Sequence, residues 1–163
     1  MSDHNPLTKA EFSKAIQENA GLLFTVSFAI VKDRQLSADA VQCALLKAWE
    51  KRKSLREHAS FKSWLVRIVI NESKNALRRP PNIEFKEYYA PITQNEQQKI
   101  DVRKAVYALP IKYRLPVALF YFEGYSVDET AHLLNMPPNT ISSRLFRARN
   151  LLRKELKDYE TDY

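Results

Sequence analysis

The sequence predicts an all-α protein made of two small helical domains, and three observations favour this fold class. Only two glycines, Gly21 and Gly124, occur among 163 residues, whereas Gly-rich phosphate loops, tight βαβ turns and many-turned β-sandwiches need backbone positions that glycine fills best. Apolar residues recur at spacings of three and four along most of the chain, as in amphipathic helices. Between two such regions, residues 80–98 begin with a double proline and lack a helical period.

The charge distribution supports the same division. The chain carries +7 with a pI near 9.5, which favours a polyanionic partner. The net charge is +6 over residues 1–79, −2 over 80–98 and +3 over 99–163. We therefore expect domains at 1–79 and 99–163 with a flexible linker at 80–98. An ordered loop within one domain is the alternative, which the length of the segment disfavours.

Composition also excludes several classes of protein. The single Cys43 and three scattered histidines offer neither an internal disulfide nor a structural zinc spacing. No signal peptide or run of 18 apolar residues is present, so we expect a cytoplasmic protein that does not span a membrane. The sequence suggests no nucleophile with a base partner and no acidic cluster. We expect no catalytic residues, no metal, no cofactor and no small-molecule substrate.

Three helices are predicted in the first domain. Thr8 and Glu11 form a capping-box pattern, and the helix that follows reaches Val31. Ser37 is predicted to cap a second helix with an apolar face that ends in Trp49. The third helix covers residues 61–79 and stops before a proline.

The second domain begins with two predicted helices. Thr93 and Glu96 form another capping-box pattern, and a further helix runs from Pro110 to Gly124. Pro116 falls late for a first-turn proline. Unless the helix starts near Tyr113, we expect a kink there, at a cost of about 3 kcal/mol if nothing relieves it.

The C-terminal region has the spacing of a helix-turn-helix. Ser126 and Glu129 open a short helix that ends at Leu134, a double-proline turn follows, and Asn139 or Thr140 begins the last helix. That helix has an apolar face, and no acid lies between residues 141 and 154. Small hydroxyls and guanidiniums on its other faces suit major-groove recognition. A solvated basic face is the alternative, but the preceding capped helix and turn favour DNA binding.

These motifs resemble a known family. Residues 102–156 are similar to domain four of the bacterial extracytoplasmic-function (ECF) sigma factors of the sigma-70 family, in the progression of Leu-Pro, Tyr-Arg, Phe-x-Gly, Ser-x-x-Glu-x-Ala and Ser-Arg-x-x-Arg-Ala-Arg. DAVQCALLKAWEK resembles the polymerase-binding helix of domain two, and FKSWLVRIVINESKNALRR resembles its promoter-melting helix. Together the matches cover nearly the whole chain.

The resemblance implies an RNA polymerase sigma factor that recognises promoters without catalytic chemistry of its own. Its implied partners are core RNA polymerase, through the β′ coiled coil and the β flap, promoter DNA, and an anti-sigma factor that is often membrane-anchored. A stand-alone helix-turn-helix regulator that does not bind polymerase is the alternative function.

The resemblance also implies three sets of site residues. The −35 contacts are Ser142, Ser143, Arg144, Phe146, Arg147 and Arg149. The −10 contacts are Phe61, Arg67, Asn71, Lys74, Asn75 and Arg78, beside a specificity loop at 55–61. The core-polymerase contacts are Asp39, Val41, Gln42 and Leu46, while Trp49 and Trp64 are expected in the core. The chain departs from the family pattern at Ala38, Cys43 and Asn139.

Overall fold

The computed structural model describes residues 7–55, 61–78 and 102–160 of the chain. Every regular element in these ranges is helical, as the sequence predicts. The predicted linker, the Thr93 cap and most of the predicted specificity loop lie outside the described residues. None of the helices in the described ranges combines the length and the apolar character needed to cross a bilayer.

The first unit contains α1 (Lys9–Val31), α2 (Arg34–Lys51), a short 3-10 turn and α3 (Phe61–Arg78). The capping box at Thr8 is confirmed, because its hydroxyl accepts from the Glu11 amide at 3.3 Å and the Glu11 carboxylate accepts from the Thr8 amide at 2.8 Å. The predicted cap at Ser37 is wrong. The carboxylate of Asp33 caps α2 by accepting from the Leu36 amide at 2.7 Å, and this earlier cap leaves Ser37 buried inside the helix.

The three helices pack around an apolar core with a small polar chain inside it. Val26, Leu65 and Val69 are almost completely buried. Beside them, the Ser73 hydroxyl donates to the Ser27 hydroxyl at 2.8 Å, which donates to a backbone carbonyl of α2 at 3.2 Å. Satisfied hydroxyls avoid the cost of burying a lone polar group, so one chain of hydrogen bonds connects α1, α2 and α3.

The second unit contains α4 (residues 102–108), α5 (Ile111–Val117) with a π-helical turn (Ala118–Phe122), α6 (Val127–Leu134) and α7 (Pro138–Glu160). The predicted disturbance at Pro116 takes the form of a change from α to π helix directly after it. Pro116 has no N–H, so it cannot donate to the Lys112 carbonyl. Arg144 of α7 approaches that carbonyl at 3.5 Å instead.

The helix-turn-helix is formed by α6 and α7. The capping box of Ser126 and Glu129 is confirmed, with hydrogen bonds of 2.8 and 3.1 Å. Asn135 ends α6 in the left-handed conformation, with φ of 54°, which asparagine tolerates better than most residues. α7 begins at Pro138, one or two residues before the predicted start at Asn139 or Thr140, because proline suits the first turn of a helix.

The two units pack directly against each other. α1 contacts α5 and the π-helical turn, α3 contacts α6, and buried residues of both units form one apolar cluster. Arg114 lies inside this junction with 6% of its surface exposed. Its guanidinium donates to carbonyls of its own unit, Tyr107 at 3.1 Å and Leu109 at 2.9 Å, and to those of Ala29 and Ile30 in α1.

Candidate nucleic-acid interface

The outer face of α7 is the first of two basic helix faces that the sequence predicts to bind DNA. Ile141, Leu145 and Ala148 are buried beneath it, and this seats the helix against α5 and α6. Ser142, Ser143 and Arg147 are exposed, and 59% of Phe146 is exposed. Phe146 is therefore a large apolar side chain exposed among serines and an arginine. Such a side chain suits contact with DNA bases, because it can pack against the methyl group of a thymine.

The arginines of this face differ in their surroundings. Arg144 is half-buried and its guanidinium contacts the sulfur of Met136 at 3.2 Å, so it connects α7 to the turn before it. Arg149 donates to the Tyr121 hydroxyl at 3.3 Å. Arg147 lies in the middle of the face, and its hydrogen bond with the Tyr113 phenol lowers the pKa of that phenol from its ordinary value of 10.0.

A shallow depression lies at the N-terminal end of this face. It is lined by Asn139, Thr140, Ser143, Arg144 and Arg147. The N-terminal residues of a recognition helix are those that approach base edges in helix-turn-helix proteins. The predicted −35 residues at 143, 144 and 147 are therefore brought together around one concave spot at the end of the helix that would enter the groove.

The second predicted DNA surface lies along α3. Arg67, Asn71, Lys74 and Arg78 are exposed and follow one another at spacings of four, three and four, which places them in one stripe along the helix. Asn75 is half-buried beside the stripe. The stripe and Asn75 together offer three cationic groups and two amides to a strand that runs along the helix.

Phe61, which the resemblance assigns to the −10 set, lies outside that stripe. It is 7% exposed and its ring packs edge-on against Phe12, with centroids 5.8 Å apart. Phe12 also contacts Trp49 at 5.1 Å, and Phe61 contacts Trp64 at 5.9 Å. Both tryptophans pack against the core, as the sequence favours. Phe61 therefore supports the start of α3 from within, and the surface itself consists of the other five residues.

The predicted polymerase contacts occupy one face of α2. Asp39, Gln42 and Leu46 are exposed at spacings of three and four, and Val41 is half-buried beside them. Leu46 exposes 68% of its surface. The opposite face is buried through Ala40, Ala44 and Ala48, and these small residues hold α2 close to α1 and α3. The exposed face combines an acid, an amide and an apolar side chain, which suits a protein partner.

An apolar groove on the second unit was not anticipated from the sequence. It is a cavity of about 520 Å³ between α4, the π-helical turn and the C-terminal half of α7. Its apolar lining includes Val102, Val106, Tyr121, Phe122, Leu152 and Leu156. Arg149, Arg153 and Lys157 also line it. The apolar spacing was visible in the sequence, but periodicity does not distinguish a groove from a core.

Within the described ranges, no group of three or more histidine, cysteine, aspartate or glutamate side chains could hold a metal ion.

Comparisons with known proteins agree with this arrangement. The family model for sigma-70 region 2 matches residues 15–80, and the model for sigma-70 region 4 matches residues 99–152. The first match contains α2 and α3, and the second contains α6 and α7 as far as residue 152. Each predicted contact surface thus lies inside a matched region.

Individual relatives extend over both regions. The RNA polymerase sigma factor SigV of Bacillus subtilis is 27% identical over 154 residues, which are 91% of this chain and 93% of the relative. The ECF RNA polymerase sigma-E factor of Escherichia coli K12 is 31% identical over 134 residues, 70% of each protein. A solved structure of the sigma factor RpoE with the anti-sigma factor NepR from Bartonella quintana covers 90% of this chain and 96% of that one, with 24% identity and a TM-score of 0.68, and thus has the same fold. The chain belongs to the ECF sigma factors of the sigma-70 family, and is an RNA polymerase sigma factor.

Proposed function

We propose that this sigma factor reads the −35 duplex through α7, opens the −10 element through α3 and binds core polymerase through α2. The observation that carries the proposal is the exposed, acid-free face of α7, which projects from a capped helix-turn-helix. Arg147 can form two hydrogen bonds to a guanine edge, Phe146 can contact a thymine methyl group, and Ser142 and Ser143 permit close approach. Arg144 and Arg149 lie at the margins, where they suit phosphates.

Opening of the −10 element is assigned to the stripe on α3. Unpairing and flipping a base costs a few kcal/mol, and contacts to the exposed strand have to offset that cost. The amides of Asn71 and Asn75 can both donate to and accept from an unstacked base. Arg67, Lys74 and Arg78 lie on the same face and can bind the phosphates on either side.

Core polymerase is proposed to bind at two places. The face of α2 around Leu46 fits the helix pair of the β′ coiled coil, because an exposed apolar side chain with flanking polar groups can pack between helices. The apolar groove beside α4 fits the β flap. Its basic side chains would favour a partner segment with acidic residues.

An anti-sigma factor is proposed as a further partner. The structurally similar protein from Bartonella quintana was solved with one, and the exposed apolar surfaces at Leu46 and the groove are surfaces that such an inhibitor could cover. If the inhibitor is membrane-anchored, it would hold the sigma factor at the inner face of the membrane. Without it, the protein would work in the cytoplasm, where polymerase and promoter DNA lie.

Catalysis and metal are proposed to come from the polymerase, so this chain would have no enzymatic activity of its own. Residues 1–79, 80–98 and 99–163 remain the proposed boundaries of the first domain, the linker and the second domain.

The test is transcription initiated by the purified chain with core enzyme. On a matching promoter, we expect transcripts that require the chain, and we expect Arg147→Ala to reduce them. A matched control is Lys14→Ala, which changes an exposed cation on α1, a helix that carries none of the proposed surfaces. If the chain binds promoter duplex but supports no initiation on any of several candidate promoters, the alternative of a stand-alone regulator would replace the proposal.

A further inference from the structure

A second depression lies beside the proposed −35 surface, between α5 and the middle of α7. It has a volume of about 270 Å³ and is lined by Tyr113, Arg147, Asn150, Leu151 and Lys154. We call it the Lys154 depression. Arg147 also lines the shallow depression at the N-terminal end of α7, so the two depressions adjoin along one side chain. The −35 contacts implied by the resemblance include Arg147 but neither Asn150 nor Lys154.

The charge in and around the Lys154 depression is positive. Arg147 and Lys154 are exposed on its lining, and the Lys112 ammonium lies 4.9 Å from the centroid of the Tyr113 ring. Hydrogen bonding with Arg147 and with Lys112 lowers the pKa of the Tyr113 phenol, which agrees with a positive field at this place. Glu155, the first acid of α7, is not among the lining residues. The depression therefore favours an anionic ligand.

The uncharged part of the lining suits a nucleotide backbone better than a simple anion. Leu151 exposes 39% of its surface, and with the Tyr113 ring it offers apolar carbon to the depression. The carbons of a deoxyribose can pack against such a surface. The Asn150 amide can donate to a phosphate oxygen, as asparagine side chains do in protein–DNA complexes. A sugar-phosphate unit would therefore use the apolar, amide and cationic groups together.

The position along α7 also indicates the DNA backbone. Ser143, Arg147, Asn150 and Lys154 follow one another at spacings of four, three and four, so they lie on one face of the helix. At about 1.5 Å per residue, Lys154 lies about 16 Å beyond Ser143 along the axis. The major groove is only about 12 Å wide. With the N-terminal residues of α7 at base edges, Lys154 would reach the edge of the groove, where the phosphates lie.

We propose that the Lys154 depression binds a backbone phosphate of the −35 duplex, with Lys154 as the charged contact and Asn150 as a hydrogen-bond donor. This inference rests on the proposed function. Arg147, which both depressions share, would separate the bases on one side from the phosphate on the other. Phosphate contacts fix the register of a protein on the duplex but carry no sequence information directly. Lys154 would therefore add affinity for every sequence, whereas Arg147 discriminates between sequences.

The salt dependence of duplex binding by the full chain tests the inference. Each phosphate contact contributes about 0.9 to the slope of log affinity against log salt, so Lys154→Ala should lose about 3- to 4-fold less affinity than the parent between about 50 and 200 mM salt. Its preference for a matching over a scrambled −35 duplex should be unchanged. Lys154→Arg should keep the slope of the parent, and so should the control Lys14→Ala. An unchanged slope in Lys154→Ala would overturn the inference.

Neutral backbone substitutions identify the phosphate itself. Each phosphate of the −35 duplex would be replaced in turn by a methylphosphonate, and affinity would be measured by fluorescence anisotropy. We expect one substitution that weakens binding by the parent but has no further effect on Lys154→Ala. Identical profiles for both chains would contradict the inference, and so would a Lys154→Ala variant that loses affinity for core enzyme alone, because the depression would then bind a protein. A parent chain with no preference for the matching duplex would instead overturn the proposed function.

Discussion

Tyr113 of α5 and Arg147 of α7 line one depression, and hydrogen bonding with Arg147 lowers the pKa of the Tyr113 phenol, so the arginine at the centre of the proposed −35 surface is coupled to α5. Tyr113 is only 9% exposed and is fixed in the core of its unit. A guanidinium that is already oriented loses less freedom when it binds DNA. The position of the Arg147 guanidinium thus depends on how α5 packs as well as on α7.

Arg147→Ala should weaken binding to −35 duplex and leave the affinity for core enzyme unchanged. Loss of a bidentate base contact costs about 1–3 kcal/mol, which is roughly a 5- to 150-fold weaker affinity. Fluorescence anisotropy with labelled duplex and a separate core-binding titration would measure both. A matched loss of core affinity would mean that the domain roles are assigned wrongly.

Tyr113→Phe should weaken binding to the −35 duplex by a smaller factor than Arg147→Ala. It removes one hydrogen bond, which is worth about 0.5–1.5 kcal/mol, or about 2- to 12-fold. When Tyr113→Phe is added to Arg147→Ala, it should have almost no further effect on affinity for the duplex, because the partner of the phenol is already absent. Additive losses in the double variant would show that the phenol does not act through Arg147.

Asn71→Ala should impair strand opening more than initial promoter binding. The amide is exposed on α3 and is proposed to contact a base that is accessible only after unpairing. Permanganate reactivity of unpaired thymines would report opening, and a mobility shift on duplex would report closed binding. Gln17→Ala, an exposed amide on α1, is the control. Equal losses in both assays would indicate a structural role.

Leu46→Asp should weaken the complex with core enzyme about tenfold or more, because a central apolar contact is replaced by a charge. Binding to isolated −35 duplex should be unchanged, and so should the thermal unfolding midpoint, since Leu46 is 68% exposed. Cys43→Ser, which is nearby and also exposed, should have a smaller effect. Unaltered core affinity in the Leu46 variant would remove α2 from the proposed interface.

The capping box at the start of α6 should make stability depend on acid pH. Hydrogen bonds from the Ser126 backbone and side chain lower the pKa of Glu129 from its ordinary value of 4.5. A carboxyl whose pKa is lower in the folded state contributes stability that is present above pH 4.5 and is lost as pH falls through the folded value. Glu129→Gln should reduce this dependence, measured as the urea midpoint from pH 7 to pH 3. An identical pH profile in the variant would contradict the assignment.

The sequence was sufficient for the local features of the fold. Capping boxes at Thr8 and Ser126 were predictable, because the interacting residues are three positions apart. The Ser37 prediction failed for a similar local reason: Asp33 lies earlier and its carboxylate accepts from the Leu36 amide, so Ser37 falls inside the helix. Pro116 was recognised as a disturbance, but the π-helical turn after it depends on packing against α1 and α7.

Contacts between the two units could not be predicted from the sequence. Arg114 was visible as part of a Tyr-Arg pair, but its bonds to Ala29 and Ile30 join positions more than 80 residues apart. Phe61 likewise matched the family pattern for DNA contact, and its burial against Phe12 follows from how α1 crosses α3. A sequence motif identifies which residue types recur at which spacing. Whether a side chain such as Phe61 is exposed depends on helices that are distant in the chain.

Arg114 reaches α1 through main-chain carbonyls, and this has a consequence for mutational experiments. A carbonyl is present whatever side chain the residue carries, so no single replacement at Ala29 or Ile30 deletes the acceptor. Charge-reversal screens would therefore miss this contact, since α1 offers no acidic side chain there to be exchanged with Arg114. The arginine can be altered only from its own side, and α1 is free to diverge in sequence while it still accepts the same two hydrogen bonds.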